Sequence, residues 1–247
     1  MTSSQPTTIV RARYHQAAKR FGLNAGRQCV AMCAQFLVAN TKIDNWTTNL
    51  LTNVINEGDK FYTTVLRNRP PQYLSIDAIL NIEGTCVANG RTYKFEFTNS
   101  SDVLSEVKDT DDNLPIKANI LSAFEEKRDD GKGIHLIIIF GERAYACVKK
   151  NGFYMLFDSH SRSSEGLSRP CGASAVLVLT TLKDLLYFLL SNEKNIRNFQ
   201  VGCMTFRITD EVGFTEYFGN VPLMITNNES MGDERIPTRE SPSSSQS

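Results

Sequence analysis

Apolar positions recur along the chain with two periods, and the switches between them mark out the elements. In the run Val30-Ala31-Met32-Cys33-Ala34-Gln35-Phe36-Leu37-Val38, Met32, Cys33, Phe36 and Leu37 fall at helical spacing, which predicts a core-facing helix over residues 30 to 38. A longer helix is predicted over residues 43 to 65. There Ile43, Trp46, Leu50, Leu51, Val54, Ile55, Phe61, Tyr62 and Val65 recur every three or four positions as one stripe. Pro70 and Pro71 end it, because proline can neither donate the ladder hydrogen bond nor fit the preceding turn. Residues 75 to 80 suit one further helical turn capped by Ser75. Residues 14 to 20 read as a short helical or extended segment.

The period then drops to two. Tyr93, Phe95 and Phe97 alternate with Lys94 and Glu96, and Asn89-Gly90 separates them from residues 85 to 88, a strong hairpin signal. Residues 102 to 112 read as an acidic loop, with Asp109, Asp111 and Asp112 solvated. An amphipathic helix is predicted near residues 114 to 127, with Ile120, Leu121 and Phe124 inward. Strands at residues 134 to 140, 144 to 148 and 153 to 157 form a meander whose last turn is Asn151-Gly152. A polar loop (161 to 172), a strand (173 to 179), a helix (182 to 191) and a last strand (199 to 208) follow. Residues 1 to 10 are expected to be a flexible amino terminus, residues 11 to 226 one folded domain, and residues 227 to 247 a disordered tail too polar to bury. The chain has no internal repeat.

Composition narrows the function classes. With 247 residues, 41% of them hydrophobic, the chain can build one sizeable core. Lys+Arg and Asp+Glu both total 27, so no broad basic face is implied and nucleic acid is not an expected partner. No apolar run reaches the roughly 18 residues of a membrane helix, and the Thr/Ser/Gln/Pro start lacks a secretion signal, so no membrane association and an intracellular site, cytoplasm or nucleus, are expected. The six cysteines lack the spacing of a disulfide framework or of a zinc knuckle. Free thiols in a reducing compartment, with no metal or cofactor, are the expectation.

Candidate chemistry centres on Cys29, placed between the turn-prone Asn24-Ala25-Gly26-Arg27 and the first predicted helix. At a helix start, unpaired N–H groups and the positive end of the dipole favour a thiolate and can also hold an oxyanion. Cys33, one turn deeper, reads as a packing residue. Far downstream, Phe157-Asp158-Ser159-His160-Ser161-Arg162 supplies a base and a group to orient it. On a strand, Asp158 and His160 project from the same face about 7 Å apart. A single cysteine at a helix start is more often buried filler than nucleophile; the paired Asp158 and His160 tip the reading toward thiol catalysis. His15 and His135 read as structural.

These segments also carry a resemblance. His15-Gln16, Phe21-Gly22 and Asn24-Ala25-Gly26-Arg27-Gln28-Cys29-Val30, followed by Tyr154-Met155-Leu156-Phe157-Asp158-Ser159-His160-Ser161-Arg162, resemble the tegument-type ubiquitin-specific cysteine proteases. That family is known from the amino-terminal domain of the herpesvirus large tegument protein, with relatives in mobile elements and other non-viral genomes. The resemblance implies Cys29 as nucleophile, His160 as base, Asp158 as its orienting partner and Gln16 as oxyanion support. It implies a papain-like α+β fold, in which the helix carrying the cysteine packs on an antiparallel sheet carrying Asp-x-His. It also implies ubiquitin or ubiquitin chains as partner, cleaved after the carboxyl-terminal Gly. Ser159 departs from the Pro that viral members often carry there, and the viral domains open much longer chains. A free-standing or mobile-element relative is the expectation from these differences, with an excised domain of a longer protein as the open alternative. Tyr14, Ser75, Asp77 and Ser161 are candidate substrate-lining residues from their nearness to the motifs. A papain-like thiol hydrolase for another peptide or thioester, and an inactive ubiquitin-binding module, remain open alternatives.

Overall fold

Buried apolar side chains separate into two groups, one on each face of an antiparallel sheet. The computed structural model describes residues 5 to 106, 114 to 125, 133 to 191, 198 to 210 and 213 to 217. In chain order the elements are β1 (Thr8–Arg11), α1 (Cys29–Asn40), α2 (Thr48–Leu66), β2 (Glu83–Ala88), β3 (Arg91–Glu106), α3 (Leu114–Glu125), β4 (Ile134–Phe140), β5 (Arg143–Lys150), β6 (Phe153–Arg162), β7 (Ala173–Leu179), α4 (Leu182–Leu190), β8 (Asn198–Asp210) and β9 (Gly213–Tyr217). Among the described residues the strands form one sheet in the order β1-β7-β6-β5-β4-β8-β3-β2, with β9 also paired to β8. The result is an α+β fold, with α1 and α2 on one face and α3 and α4 on the other.

Alternation along each strand feeds both cores. On β5, Ala144, Ala146 and Val148 join the α1 side, while Tyr145 and Cys147 join the α4 side. Helix α1 is buried along its whole length, which is why its sequence is apolar on nearly every side. Its polar Gln35 donates to the Thr85 carbonyl of β2 at 2.7 Å, so the buried amide is anchored across the layer. Phe36 stacks on Phe157 of β6 on one side and Trp46 on the other, at centroid distances of 4.8 and 5.0 Å. At Gly58 the second helix approaches closely: a Cβ there would stand 2.6 Å from Met32 Cγ.

The predicted elements mostly appear, and the differences have physical causes. Asn89-Gly90 and Asn151-Gly152 make tight hairpins as expected, each with positive φ at both residues. Residues 8 to 10, placed by the sequence in the amino-terminal segment, form an edge strand with Arg11, Thr8 opposite Val178 and Arg11 opposite Ala175. The second helix begins at Thr48 rather than 43, because the Thr47 hydroxyl accepts from the Leu50 N–H at 3.3 Å and caps it there. Ser75 does not cap with its side chain; its carbonyl accepts from the Ala78 N–H in a 3-10 turn over Asp77–Ile79. A second such turn, Lys19–Asn24, overlaps the end of the segment expected at 14 to 20. Residues 102 to 106 extend β3 rather than open an acidic loop, since β8 supplies partners as far as Glu106 opposite Asn198. Asp109, Asp111 and Asp112, and the tail from residue 227, lie outside the described residues. β6 continues to Arg162, with its register shifted between Asp158 and Arg162, so the polar loop expected from 161 begins later.

Candidate active site

The end of β6 and the start of α1 build the site together. Asp158, His160 and Arg162 occupy alternate positions of the strand, and their side chains meet. His160 Nδ1 lies 2.7 Å from Asp158 Oδ1, which also accepts from the His160 backbone N–H at 2.8 Å. The other carboxylate oxygen accepts from Arg162 Nε at 2.7 Å. Arg162 is itself buried and donates further to the carbonyls of Gly166, at 2.6 Å, and Phe188 of α4, at 2.9 Å. The buried carboxylate is thus fixed on both oxygens, by the His160 ring and backbone on one and by the Arg162 guanidinium on the other.

Cys29 is the first residue of α1 and is 3% exposed. No side chain caps this helix, so its first N–H groups remain available at the sulfur. Gln28, at the capping position, instead donates its Nε2 to Asp59 of α2 at 3.1 Å and points away from the thiol. The thiol sits within hydrogen-bonding reach of the His160 ring. Its Sγ lies 3.8 Å from the Glu142 carbonyl in the turn between β4 and β5. Tyr73 ties to that turn through a 2.9 Å bond from its hydroxyl to Glu142 Oε2.

Electrostatics follow from this packing. Burial pushes the Asp158 carboxyl up, but the charges of Arg162 and His160 and the hydrogen bonds from His160 outweigh it and hold the group well below the usual carboxylate range. Burial pulls His160 down; the Asp158 charge and hydrogen bond, with Cys29 beside the ring, more than reverse this and raise it to about 9. A proton delivered to this imidazole is therefore retained through neutral pH. Cys33 is pushed well up, first by burial and then by Cys29 and Asp158, in keeping with a packing role.

Gln16 reaches the same place from the segment after β1. It is buried, its N–H donates to the Ser159 carbonyl at 2.9 Å, and its carbonyl accepts from the Gly26 N–H at 3.2 Å. Its side-chain Oε1 lies 3.2 Å from Ser159 Oγ. With His15, Arg143, His160, Ser161 and Ser168, Gln16 lines a cleft of about 390 Å³.

The family model described as the herpesvirus tegument protein, N-terminal conserved region, matches residues 11–209. The chain belongs to this family. Among solved structures, this tegument-family chain is similar to the ubiquitin-specific protease encoded by murine cytomegalovirus tegument protein M48, crystallised in complex with a ubiquitin-based suicide substrate. The TM-score is 0.60 at 17% identity, over 82% of this chain and 87% of that one. At that identity the likeness is one of fold. No curated protein matches the chain.

Within the tegument-family fold the sequence-derived candidates divide. Cys29 and Asp158 both meet His160, and Gln16 and Ser161 line a cleft with His160. Tyr14 lines a different cavity with Arg13, Arg20 and Asn56, and its hydroxyl donates to Asn56 Oδ1 at 2.5 Å. Ser75 and Asp77 belong to the 3-10 turn region and do not line the His160 cleft. His135 is buried with its ring edge-on to Phe206. His15, taken as structural, shares the cleft with His160; burial, then the charge of His160, lowers its pKa. Arg162 was overlooked by reasoning on the Asp-x-His pair alone, although its place two residues beyond His160 on one strand face was a usable signal. Among the described residues no group of His, Cys, Asp and Glu could hold a metal ion, and no helix is long and apolar enough to cross a membrane.

Proposed function

We propose that the protein is a thiol-dependent deubiquitinase that hydrolyses the isopeptide bond after the carboxyl-terminal Gly of ubiquitin, on a papain-like fold. The observation that carries this reading is Cys29 at an uncapped helix start, within reach of an imidazole fixed by Asp158 at 2.7 Å. His160 takes the Cys29 proton, and Asp158 stabilises the imidazolium that forms. The thiolate adds to the scissile carbonyl, whose oxygen becomes negative. Gln16 Nε2 and the Cys29 backbone N–H hold that oxygen, a contribution of about 3 to 4 kcal/mol for such donors. His160 then protonates the departing lysine amine. Water, deprotonated by the same imidazole, releases the acyl group and restores the thiol. Ser161 lines the approach for the ubiquitin tail. All six cysteines are free, which suits work in a reducing compartment, cytoplasm or nucleus.

A ubiquitin probe with an electrophilic carboxyl terminus tests the proposal. The wild type should label and Cys29→Ala should not. Turnover of small peptides without labelling would instead favour a thiol hydrolase of another substrate, and reversible ubiquitin binding alone would favour an inactive binding module.

A further inference from the structure

Along Asp158-Ser159-His160 the outer two side chains meet each other while the middle one turns to Gln16. Ser159 is completely buried, and its Oγ donates to Gln16 Oε1 at 3.2 Å. The same two residues are joined through the main chain, Gln16 N–H to Ser159 carbonyl at 2.9 Å. That carbonyl also accepts from the hydroxyl of Ser174, another fully buried serine, at 2.7 Å. The pair is therefore held face to face at both backbone and side chain.

The last torsion of a glutamine side chain is broad and roughly two-fold, so packing alone leaves its oxygen and nitrogen ends nearly interchangeable. Only the nitrogen end can help a negative oxygen; the carbonyl end would repel it. In the structure it is Oε1 that faces Ser159, whose hydroxyl donates to it and so favours this orientation of the amide. We propose that Ser159 is a positioning residue for the oxyanion: by donating to Gln16 Oε1 it turns Gln16 Nε2 toward the cleft shared with His160. One strand then serves both halves of the reaction, with the base and its carboxylate on one side and the support of the oxyanion donor on the other. This inference rests on the proposed deubiquitinase activity.

The test is steady-state cleavage of ubiquitin bearing a fluorogenic carboxyl-terminal amide, with kcat and KM measured for wild type, Ser159→Ala, Ser159→Thr, Gln16→Ala and the Ser159→Ala/Gln16→Ala double variant. Loss of an oxyanion donor lowers kcat by about 100-fold or more, so Gln16→Ala should fall by that order and Ser159→Ala, which only frees the amide to turn, by about 10-fold, each with KM within about 2-fold. Ser159→Thr, which keeps the hydroxyl, should stay near wild type. In the Gln16→Ala background, Ser159→Ala should add less than about 2-fold. The inference is overturned if Ser159→Ala leaves kcat unchanged, if Ser159→Thr loses as much as Ser159→Ala, or if the two losses multiply in the double variant. A wild type that does not cleave the substrate defeats the proposed function and this inference with it; an active wild type indifferent to Ser159 defeats the inference alone.

Discussion

Asp158 concentrates the site's electrostatics, because one buried carboxylate serves both His160 and Arg162. Replacing it by Asn keeps the shape but removes the charge that favours the protonated ring and fixes its tautomer. Asp158→Asn should lower turnover by about 10⁴-fold, and the His160 titration, followed by NMR, should move from about 9 toward lower pH. The sign for stability follows from the same shift. A folded pKa raised above the unfolded value near 6.5 stabilises fully below pH 6.5, and that stabilisation is lost as pH rises through about 9. The denaturation free energy of the wild type relative to His160→Gln should therefore decline by up to about 3 kcal/mol across that window. A difference that is flat with pH would mean that His160 is not held charged by its neighbours. Arg162 gives a separate outcome. Its removal strands a buried carboxylate, so Arg162→Ala should cost roughly 3 to 5 kcal/mol in urea denaturation. Arg162→Lys should not restore this, because an ammonium cannot reproduce the fixed fork that meets Asp158, Gly166 and Phe188 at once.

Among the elements, α1 is the one whose position decides whether sulfur meets imidazole. It is wedged between the sheet and α2, and the two helices come close at Gly58, where an added methyl would meet the Met32 backbone Cα at 2.8 Å as well as its side chain. Backbone cannot yield as a side-chain tip can. Gly58→Ala should cost about 1 to 3 kcal/mol through overpacking despite alanine's better helix propensity, and should slow ubiquitin-probe labelling by shifting α1 relative to β6. Higher stability on this change would show that the helices do not meet there as described. Which elements were legible in the sequence follows from how local their causes are. Asn89-Gly90, Asn151-Gly152, the α2 stripe and the Asp158-His160 alternation need only neighbours in the chain, and all are readable. The extension of β3 over residues 102 to 106, and β1 itself, depend on partners far away in sequence. Their own residues are polar or mixed, so no local period announces them.

For the molecule as a whole, that distant pairing at the sheet edge bears on catalysis. The amino-terminal segment is laid down by successive backbone bonds: Thr7 N–H to the Val178 carbonyl at 2.8 Å, the register of β1 on β7, Ala12 N–H to Ser174 at 2.9 Å, Ser174 N–H to Tyr14 at 3.2 Å, and finally Gln16 N–H to Ser159 at 2.9 Å. Gln16 thus stands at the inner end of a ladder whose outer end is β1. Edge strands contribute less buried area than central ones, and Ile9, Val10 and Arg11 are only partly buried. Removing residues 1 to 11 should accordingly lower the melting temperature by only a few degrees, because 1 kcal/mol corresponds to about 2 to 4 °C in a domain of this size. It should lower kcat for a ubiquitin amide by about 10-fold, since a fraying ladder misplaces the oxyanion donor while leaving Cys29, His160 and Asp158 in their cores. Removing residues 1 to 6 leaves every rung in place and should change neither quantity. If the longer deletion keeps full kcat, the bonds from Ser159 and Gly26 hold Gln16 unaided, and the edge strand serves the sheet alone.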